Sequence, residues 1–354
     1  MPPIEKTATW PKGFFWGAST SAHQVEGGNH NDWTEWEFAH AEELANAAAG
    51  KFAHWLPNWE EIKSEATSPQ NYISGAAADH YNLYEQDFDL MKELNMNAYR
   101  FSIEWSRIEP EFGKFDQKEV DHYNKMLSAL RDRGIEPFVT LWHWTIPTWF
   151  RDRGGWHNPD ASRYFADFVS KIVSCCVDSD YWITLNEPEI YARQCYLAGD
   201  WPPQRRSLRE YFMTVNSLVK AHNYVAEAIR QIRPGARIGI AQNTMYLEPD
   251  PPNIINKLAK IIPNWWWNHY FLNRIDHNLD FIGVNYYFRS RINFTPYVSR
   301  PTHSRPQSDL GWQLYPEGLY HVLKDLKRFK KPMFITEHGL ADAKDSLREW
   351  YINQ

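Results

Sequence analysis

Seven short apolar runs in this sequence close on side chains that can bind a polar ligand, exchange a proton or attack a carbon. The run Phe14–Thr20 leads to Gln24 and Glu26, Ala98–Trp105 carries Arg100 and Glu104, and Glu136–Trp144 ends in His143-Trp144. Tyr181–Pro188 ends in Asn186-Glu187-Pro188, Arg237–Asn243 in Gln242-Asn243, Asp280–Tyr287 in Asn285-Tyr286-Tyr287, and Pro332–Gly339 in Glu337-His338-Gly339. Glu187 and Glu337 close different runs, and a pair of carboxylates is what acid/base cleavage of a glycosidic bond requires. Taken singly, a glutamate at a run's end is more often a solvated rim residue or half of a salt bridge. Arg100 and His143 have an ordinary reading too, as hydrogen-bonders of a core. A metal-dependent hydrolase is the weaker alternative, because the 14 histidines include no His-Glu-x-x-His and no clustered ligand spacing.

The elements that must position these groups are legible from hydrophobic period. Most of the runs are dense in Val, Ile, Phe or Trp without strict alternation, as parallel strands covered on both faces are. Between them lie helical stripes: Val120, Tyr123, Leu127 and Leu130, closed by Gly134; Phe165, Phe168, Val169, Ile172, Val173 and Cys176; and Val215 to Ile232, ended by Pro234-Gly235. His222 on the third stripe reads as a satisfied buried histidine rather than a ligand. Such alternation leaves an open doubly wound sheet or a (β/α)8 barrel. Neither G-x-G-x-x-G nor G-x-x-x-x-G-K-[ST] stands between a strand and a helix, which favours the barrel. In a barrel the C-terminal strand ends meet at one mouth, so the closing residues would face each other.

The expected fold is therefore α/β of the (β/α)8 TIM-barrel type, as a single catalytic domain over residues 1–354. An insertion is expected at about 39–78, a long loop over Tyr246–Asn264 and an irregular loop over Pro301–Gln307. With 354 residues, 43% hydrophobic and 23% charged, the chain is globular. A net charge of −6 gives no electrostatic reason to bind nucleic acid or an anionic membrane. No stretch approaches the roughly 18 apolar residues of a membrane span, and Met1-Pro2-Pro3-Ile4-Glu5 lacks signal-peptide regions, so a cytoplasmic protein is expected. The three cysteines read as reduced packing residues. The 18 Trp, 19 Tyr and 19 Phe would serve a core and the CH faces of sugars equally well. Oligomeric state is left open.

Six segments, in order, resemble glycoside hydrolase family 1, the retaining β-glucosidases, β-galactosidases and relatives. They are Phe14 to Gly27 (FFWGASTSAHQVEG), Tyr99 to Ile108 (YRFSIEWSRI), Thr140 to Trp144 (TLWHW), Thr184 to Pro188 (TLNEP), Phe281 to Tyr287 (FIGVNYY) and Ile335 to Gly339 (ITEHG). The resemblance implies Glu337 as nucleophile and Glu187 as general acid/base. It implies Arg100 and Tyr287 as supports that keep Glu337 ionised, and Asn186 at the sugar 2-hydroxyl. Gln24, His143 and Trp144 would hold outer hydroxyls, with Asn285 also at the substrate. No metal or cofactor is implied, and the partner is a small β-glycoside or oligosaccharide.

Two departures from the family pattern stand out. His338 occupies the position where the family usually has Asn after the nucleophile. After Gly339 only fifteen residues remain, enough for a short loop and a helix over Ala343–Asn353. The family continues through an eighth strand whose loop carries a Trp and a Glu-Trp pair that grip the sugar, and nothing here matches them. A barrel apparently lacking the eighth strand is expected, with unpaired edges on strands one and seven. Either the chain is naturally shortened and repaired by another element, or it is C-terminally truncated relative to the family. Two functions follow: a retaining β-glycosidase acting on β-linked glucosides, galactosides or related small glycosides by double displacement, and a catalytically poor sugar-binding remnant or fragment needing a partner chain.

Overall fold

The computed structural model describes residues 10–54, 56, 58–176, 178–293 and 306–354. The N-terminal residues read above and most of the expected 301–307 loop lie outside that range. Seven strands form one parallel sheet in chain order: β1 Gly17–Ser19, β2 Ala98–Ser102, β3 Glu136–Thr140, β4 Tyr181–Asn186, β5 Arg237–Pro249, β6 Phe281–Ile292 and β7 Met333–His338. Every ladder is parallel, and each connection is long enough to carry helix across the outside. The helices Gln117–Asp132, Ala161–Cys175 and Leu208–Ile232 bury the stripes read from the sequence. His222 is fully buried between layers, bonded to Thr184 Oγ1 at 2.7 Å, and burial pushes its pKa down to about 3, so it stays neutral. The cysteines are unbridged, with Cys176 and Cys195 buried.

The barrel floor is a plug of aromatic rings. Phe138 stacks on Tyr181 at 4.3 Å, and Phe15, Phe281 and Phe334 close around them. Gly239 is required here, since a Cβ would fall 2.3 Å from the Phe281 ring. This plug forces any ligand to enter from the opposite, C-terminal end of the strands.

No eighth strand occurs among the described residues, and no ladder joins β7 to β1. The two strand edges at this seam are correspondingly bare: Gly17 and Ala18 are exposed and Ile335 of β7 is 46% exposed, whereas every residue of β2 and β4 is buried. Inside, the Arg100 guanidinium spans the seam, donating to Ser19 Oγ of β1 at 3.2 Å and to the Thr336 carbonyl of β7 at 3.4 Å.

Three boundaries differ from the sequence reading. The insertion is largely helical and begins earlier, as Asp32–Phe52, Trp59–Ala66 and a turn at Pro69–Tyr72. Asn31 and Thr34 cap the first helix reciprocally, and its alanines favour the helix and bury only a narrow stripe, Ala41, Ala45 and Ala48, with no large apolar side chain on it. The expected loop from Tyr246 is strand as far as Pro249, where Tyr246–Pro249 pairs with Arg289–Ile292 beyond the barrel, followed by helices Ile254–Ala259 and Ile261–Asn264. The terminal helix is only Arg348–Asn353, because the Asp342 carboxylate accepts from Leu347 N at 2.7 Å and holds a turn before it. That helix buries Tyr351 against His338, ring centroids 4.8 Å apart, and so packs beside β7 without filling the seam.

Candidate active site

At the mouth, Glu337 of β7 receives two donors. Arg100 Nη1 bonds one oxygen and Tyr287 OH the other at 2.7 Å. Arg100 is itself 4% exposed and fixed by Thr140 Oγ1 at 3.0 Å and Asn186 Oδ1 at 2.7 Å. Three strands away, Glu187 Oε1 accepts from Asn243 Nδ2 and Asn285 Nδ2, both at 2.9 Å. Asn285 connects the halves: it sits in register with Glu337, also donates to Asn186 Oδ1 at 3.2 Å, and accepts from Thr336 Oγ1 at 2.7 Å. With the Asn186 oxygen taken by Arg100 and Asn285, its amide nitrogen faces His143 Nε2 at 2.9 Å as donor.

Local backbone sets two of these side chains. Glu187 lies in the left-handed region, φ 42° and ψ 57°, where a non-glycine residue is strained, and Pro188 opens the next short helix. Such a turn ends β4 abruptly and leaves Glu187 at the strand's tip. Trp144, at φ 81°, is likewise left-handed; its Nε1 is anchored on the Asn186 carbonyl at 3.1 Å and its ring meets Trp201 at 4.4 Å.

The two carboxyls sit in opposite electrostatic states. Burial, then the charge of Glu337, raises Glu187 to about 7, against the bonds from Asn243 and Asn285 and the Arg100 charge. Burial would raise Glu337 as well, but Arg100 and the Tyr287 bond outweigh it and hold Glu337 below the usual carboxylate range. His143 is pushed down to about 3 by burial and by Arg100, so near neutrality it adds no charge and Arg100 is the cation that matters. At pH near 6, then, one carboxyl is mostly protonated and the other ionised.

The fold thus brings together Arg100, His143, Trp144, Asn186, Glu187, Asn285, Tyr287 and Glu337. Gln24 stands apart, exposed on the short helix Ala22–Val25 with its side chain outside this network. Glu26 and Glu104, also at strand ends, belong to other clusters: Glu26 is buried against Arg107 Nε at 2.9 Å and Tyr123 OH at 2.7 Å, and Glu104 accepts from Thr145 Oγ1 at 2.9 Å and Ser106 Oγ at 2.8 Å. Two supports escaped the sequence reading. Asn243 was noted at the end of strand five but given no role. Trp267, whose Nε1 holds Asn243 Oδ1 at 3.1 Å, gave no signal, since it reaches the site from a helical segment after β5. Among the described residues no group of three His, Cys, Asp or Glu is placed to hold a metal ion.

Glycosyl hydrolase family 1 matches residues 6–275 of the sequence. The chain belongs to this family. Among family 1 proteins, β-glucosidase A of Thermotoga maritima is 30% identical over 94% of this chain and 78% of its own length. The β-glycosidase from Pyrococcus horikoshii superposes with a TM-score of 0.80 at 31% identity, covering 97% of this chain and 79% of that one. A T. maritima β-glucosidase in complex with glucoimidazole gives 0.78 at 28% identity, covering 97% of this chain and 83% of that one. Arg100, His143, Asn186 and Glu187 lie inside the family 1 match. Asn285, Tyr287 and Glu337 lie beyond residue 275 and are tied to the matched part by the bonds from Arg100 and to Asn186 and Glu187.

Proposed function

We propose that this family 1 chain is a retaining β-glycosidase acting on small β-glucosides or related glycosides, with Glu337 as nucleophile and Glu187 as general acid/base. The observation that carries the reading is the bonding of two carboxyls into one network on different terms, Glu337 by Arg100 and Tyr287 and Glu187 by two neutral amides. Substrate class is supported by the β-glucosidase relatives and by the sugar-like inhibitor bound to the T. maritima enzyme.

In the first step Glu337 attacks the anomeric carbon while Glu187 passes its proton to the departing oxygen, giving a glycosyl ester and a free alcohol. Arg100 and Tyr287 keep Glu337 anionic for the attack. Esterification removes the Glu337 charge, so the pKa of Glu187, now deprotonated, falls. In the second step Glu187 takes a proton from water as the water oxygen attacks the anomeric carbon; the ester breaks, Glu337 leaves as carboxylate, and the sugar retains its β configuration. Asn186 and His143 are the groups proposed to meet sugar hydroxyls, with Trp144 beside them. Gln24 is proposed as an outer contact from the rim.

The test is hydrolysis of 4-nitrophenyl β-D-glucoside by the chain and by its Glu337→Ala variant, with the product anomer followed by NMR. Turnover lost in the variant and β-glucose appearing first are expected. α-Glucose appearing first would sink the retaining reading, and a folded chain without turnover would favour the sugar-binding remnant.

A further inference from the structure

The helices Ile254–Ala259 and Ile261–Asn264 form one run, because Lys260 between them is helical and its N–H bonds to the Asn256 carbonyl at 3.1 Å; the run continues into Trp265–His269. A surface helix normally turns its apolar stripe to the core. This one is reversed. Ile254, Ile255, Leu258, Ile261, Ile262 and Trp265 stand at i, i+1, i+4, i+7, i+8 and i+11, on one helix face, and each is between 43% and 75% exposed. The opposite face is fixed by small and polar groups. Asn256 is fully buried and its amide donates to the Pro251 carbonyl at 2.9 Å, Ala259 packs on the cluster of Met245, Leu247 and Ile292, and Asn264 donates to Asp325 Oδ2 at 3.0 Å. Apolar residues exposed singly need no partner, but six in one stripe mark a surface that something covers.

The charge beside the stripe specifies what covers it. Residues 254–265 include two lysines and no acid. Lys257 and Lys260 flank the stripe and line a cavity of about 510 Å³ together with Arg289, Arg291, Glu248 and Asp250. Glu248 accepts from Arg289 Nη1, and Asp250 pairs with Arg291 Nη1 at 3.2 Å, so both carboxylates are taken by arginines and the lysines are the excess charge. Lys260 lies over the Tyr246 ring, 5.1 Å from its centroid, and Asp325 behind the run is held by Asn264 and by His269 Nε2 at 2.6 Å. The net charge of −6 thus averages over a locally cationic edge. An apolar helix face edged by lysines and ending in a tryptophan suits the plane of an anionic bilayer surface, where acyl chains meet the apolar side chains and headgroup phosphates meet the lysines. A second copy suits it less, since the stripe is about 16 Å long and one helix face wide, well short of the roughly 800 Å² per partner of a standard interface.

We propose that the exposed face of residues 254–265 docks the protein on an anionic lipid membrane, with the stripe in the acyl boundary and Lys257 and Lys260 at the headgroup phosphates. The inference is independent of the glycosidase reading, because no residue of the stripe belongs to the network of Glu187 and Glu337.

Co-sedimentation with large unilamellar vesicles tests it, using phosphatidylcholine alone and a seven-to-three mixture of phosphatidylcholine and phosphatidylglycerol. Partition into the mixed vesicles should exceed that into phosphatidylcholine by about tenfold or more, and the excess should vanish in molar salt. Leu258→Gln and Ile262→Gln should each lower partition into the mixed vesicles by about fivefold or more. Lys257→Gln should lower it by about fivefold, the worth of one cation at such a surface, and leave partition into phosphatidylcholine unaltered. All three replaced side chains are exposed, so the thermal unfolding midpoint should not move. No sedimentation with the mixed vesicles, equal partition into both kinds, or partition unchanged in Leu258→Gln and Ile262→Gln would overturn the proposal. So would a dimer in analytical ultracentrifugation that Ile262→Gln splits, which would assign the stripe to a second copy of the chain.

Discussion

Neutralising Glu337 should lower the pKa of Glu187, and the size of the fall follows from the groups around it. Glu187 stands at about 7 because burial and the Glu337 charge together overcome two amide hydrogen bonds and Arg100. Replacing Glu337 with Gln leaves the burial and both amides in place and removes only the charge. It also frees Arg100 from its ion pair, so more of the guanidinium charge acts on Glu187. Two carboxylates about 5.5 Å apart at an effective dielectric of about 20 interact by about 3 kcal/mol, an upper figure that Arg100 reduces. A fall of about one pH unit, or about 1.4 kcal/mol, is therefore the least expected. The assay is a carboxyl-carbon NMR titration of Glu187 in chain labelled with [δ-¹³C]glutamate, unaltered and as Glu337→Gln, with Glu187→Gln used to assign the resonance. A Glu187 pKa that stays at about 7 in the Glu337→Gln chain would refute the electrostatic link between the two carboxyls.

Other consequences are as specific. Tyr287→Phe removes one of the donors to Glu337, whose anion then loses about 1.5–3 kcal/mol of stabilisation. Since Glu337 must be ionised to attack, kcat/KM should drop and its acidic limb move to higher pH, which a pH–rate profile measures. Asn243→Ala removes a donor that favours the Glu187 anion. Glycosylation needs Glu187 protonated, so the basic limb near 7 should move upward, and a downward shift would contradict the assigned bond. Trp267→Phe, which loosens Asn243, should move the same limb in the same direction by less. Gly283→Ala would place a Cβ 2.5 Å from the Ile240 carbonyl oxygen and 2.7 Å from Thr336 Cγ2, and should lower stability by about 1–3 kcal/mol in urea unfolding.

The barrel was legible because the core of most of its strands is a dense apolar run bounded by turns; seven were read and seven occur among the described residues. Their polar closing residues follow from the same logic, since a residue at a buried strand's end must satisfy its polarity at the mouth. The extensions of β5 and β6 were missed because Tyr246–Pro249 and Arg289–Ile292 are half-buried segments with charged residues and only Leu247 and Ile292 buried, without the apolar density that marks a strand covered on both faces. The helix Asp32–Phe52 escaped for a different reason: its buried stripe is made of alanines, Ala41, Ala45 and Ala48, among other alanines and polar residues, so no large apolar residue marks the face. Asn243 as a support of Glu187 could not be read from spacing, because it arises from proximity between β5 and the residue that follows β4. Gln24, a motif residue on the short helix Ala22–Val25, makes none of the hydrogen bonds of this network.

The central claim is that Glu337 attacks carbon while Glu187 handles protons, and covalent trapping tests it most directly. A 2-deoxy-2-fluoro β-D-glucoside with a good leaving group slows release of the glycosyl ester more than it slows its formation when the leaving group is reactive enough, so the intermediate accumulates for peptide mapping by mass spectrometry. The account predicts one label, on Glu337, in the unaltered chain and also in Glu187→Ala, where the good leaving group needs little protonation. A label on any other residue, or a folded and unlabelled chain, would contradict it.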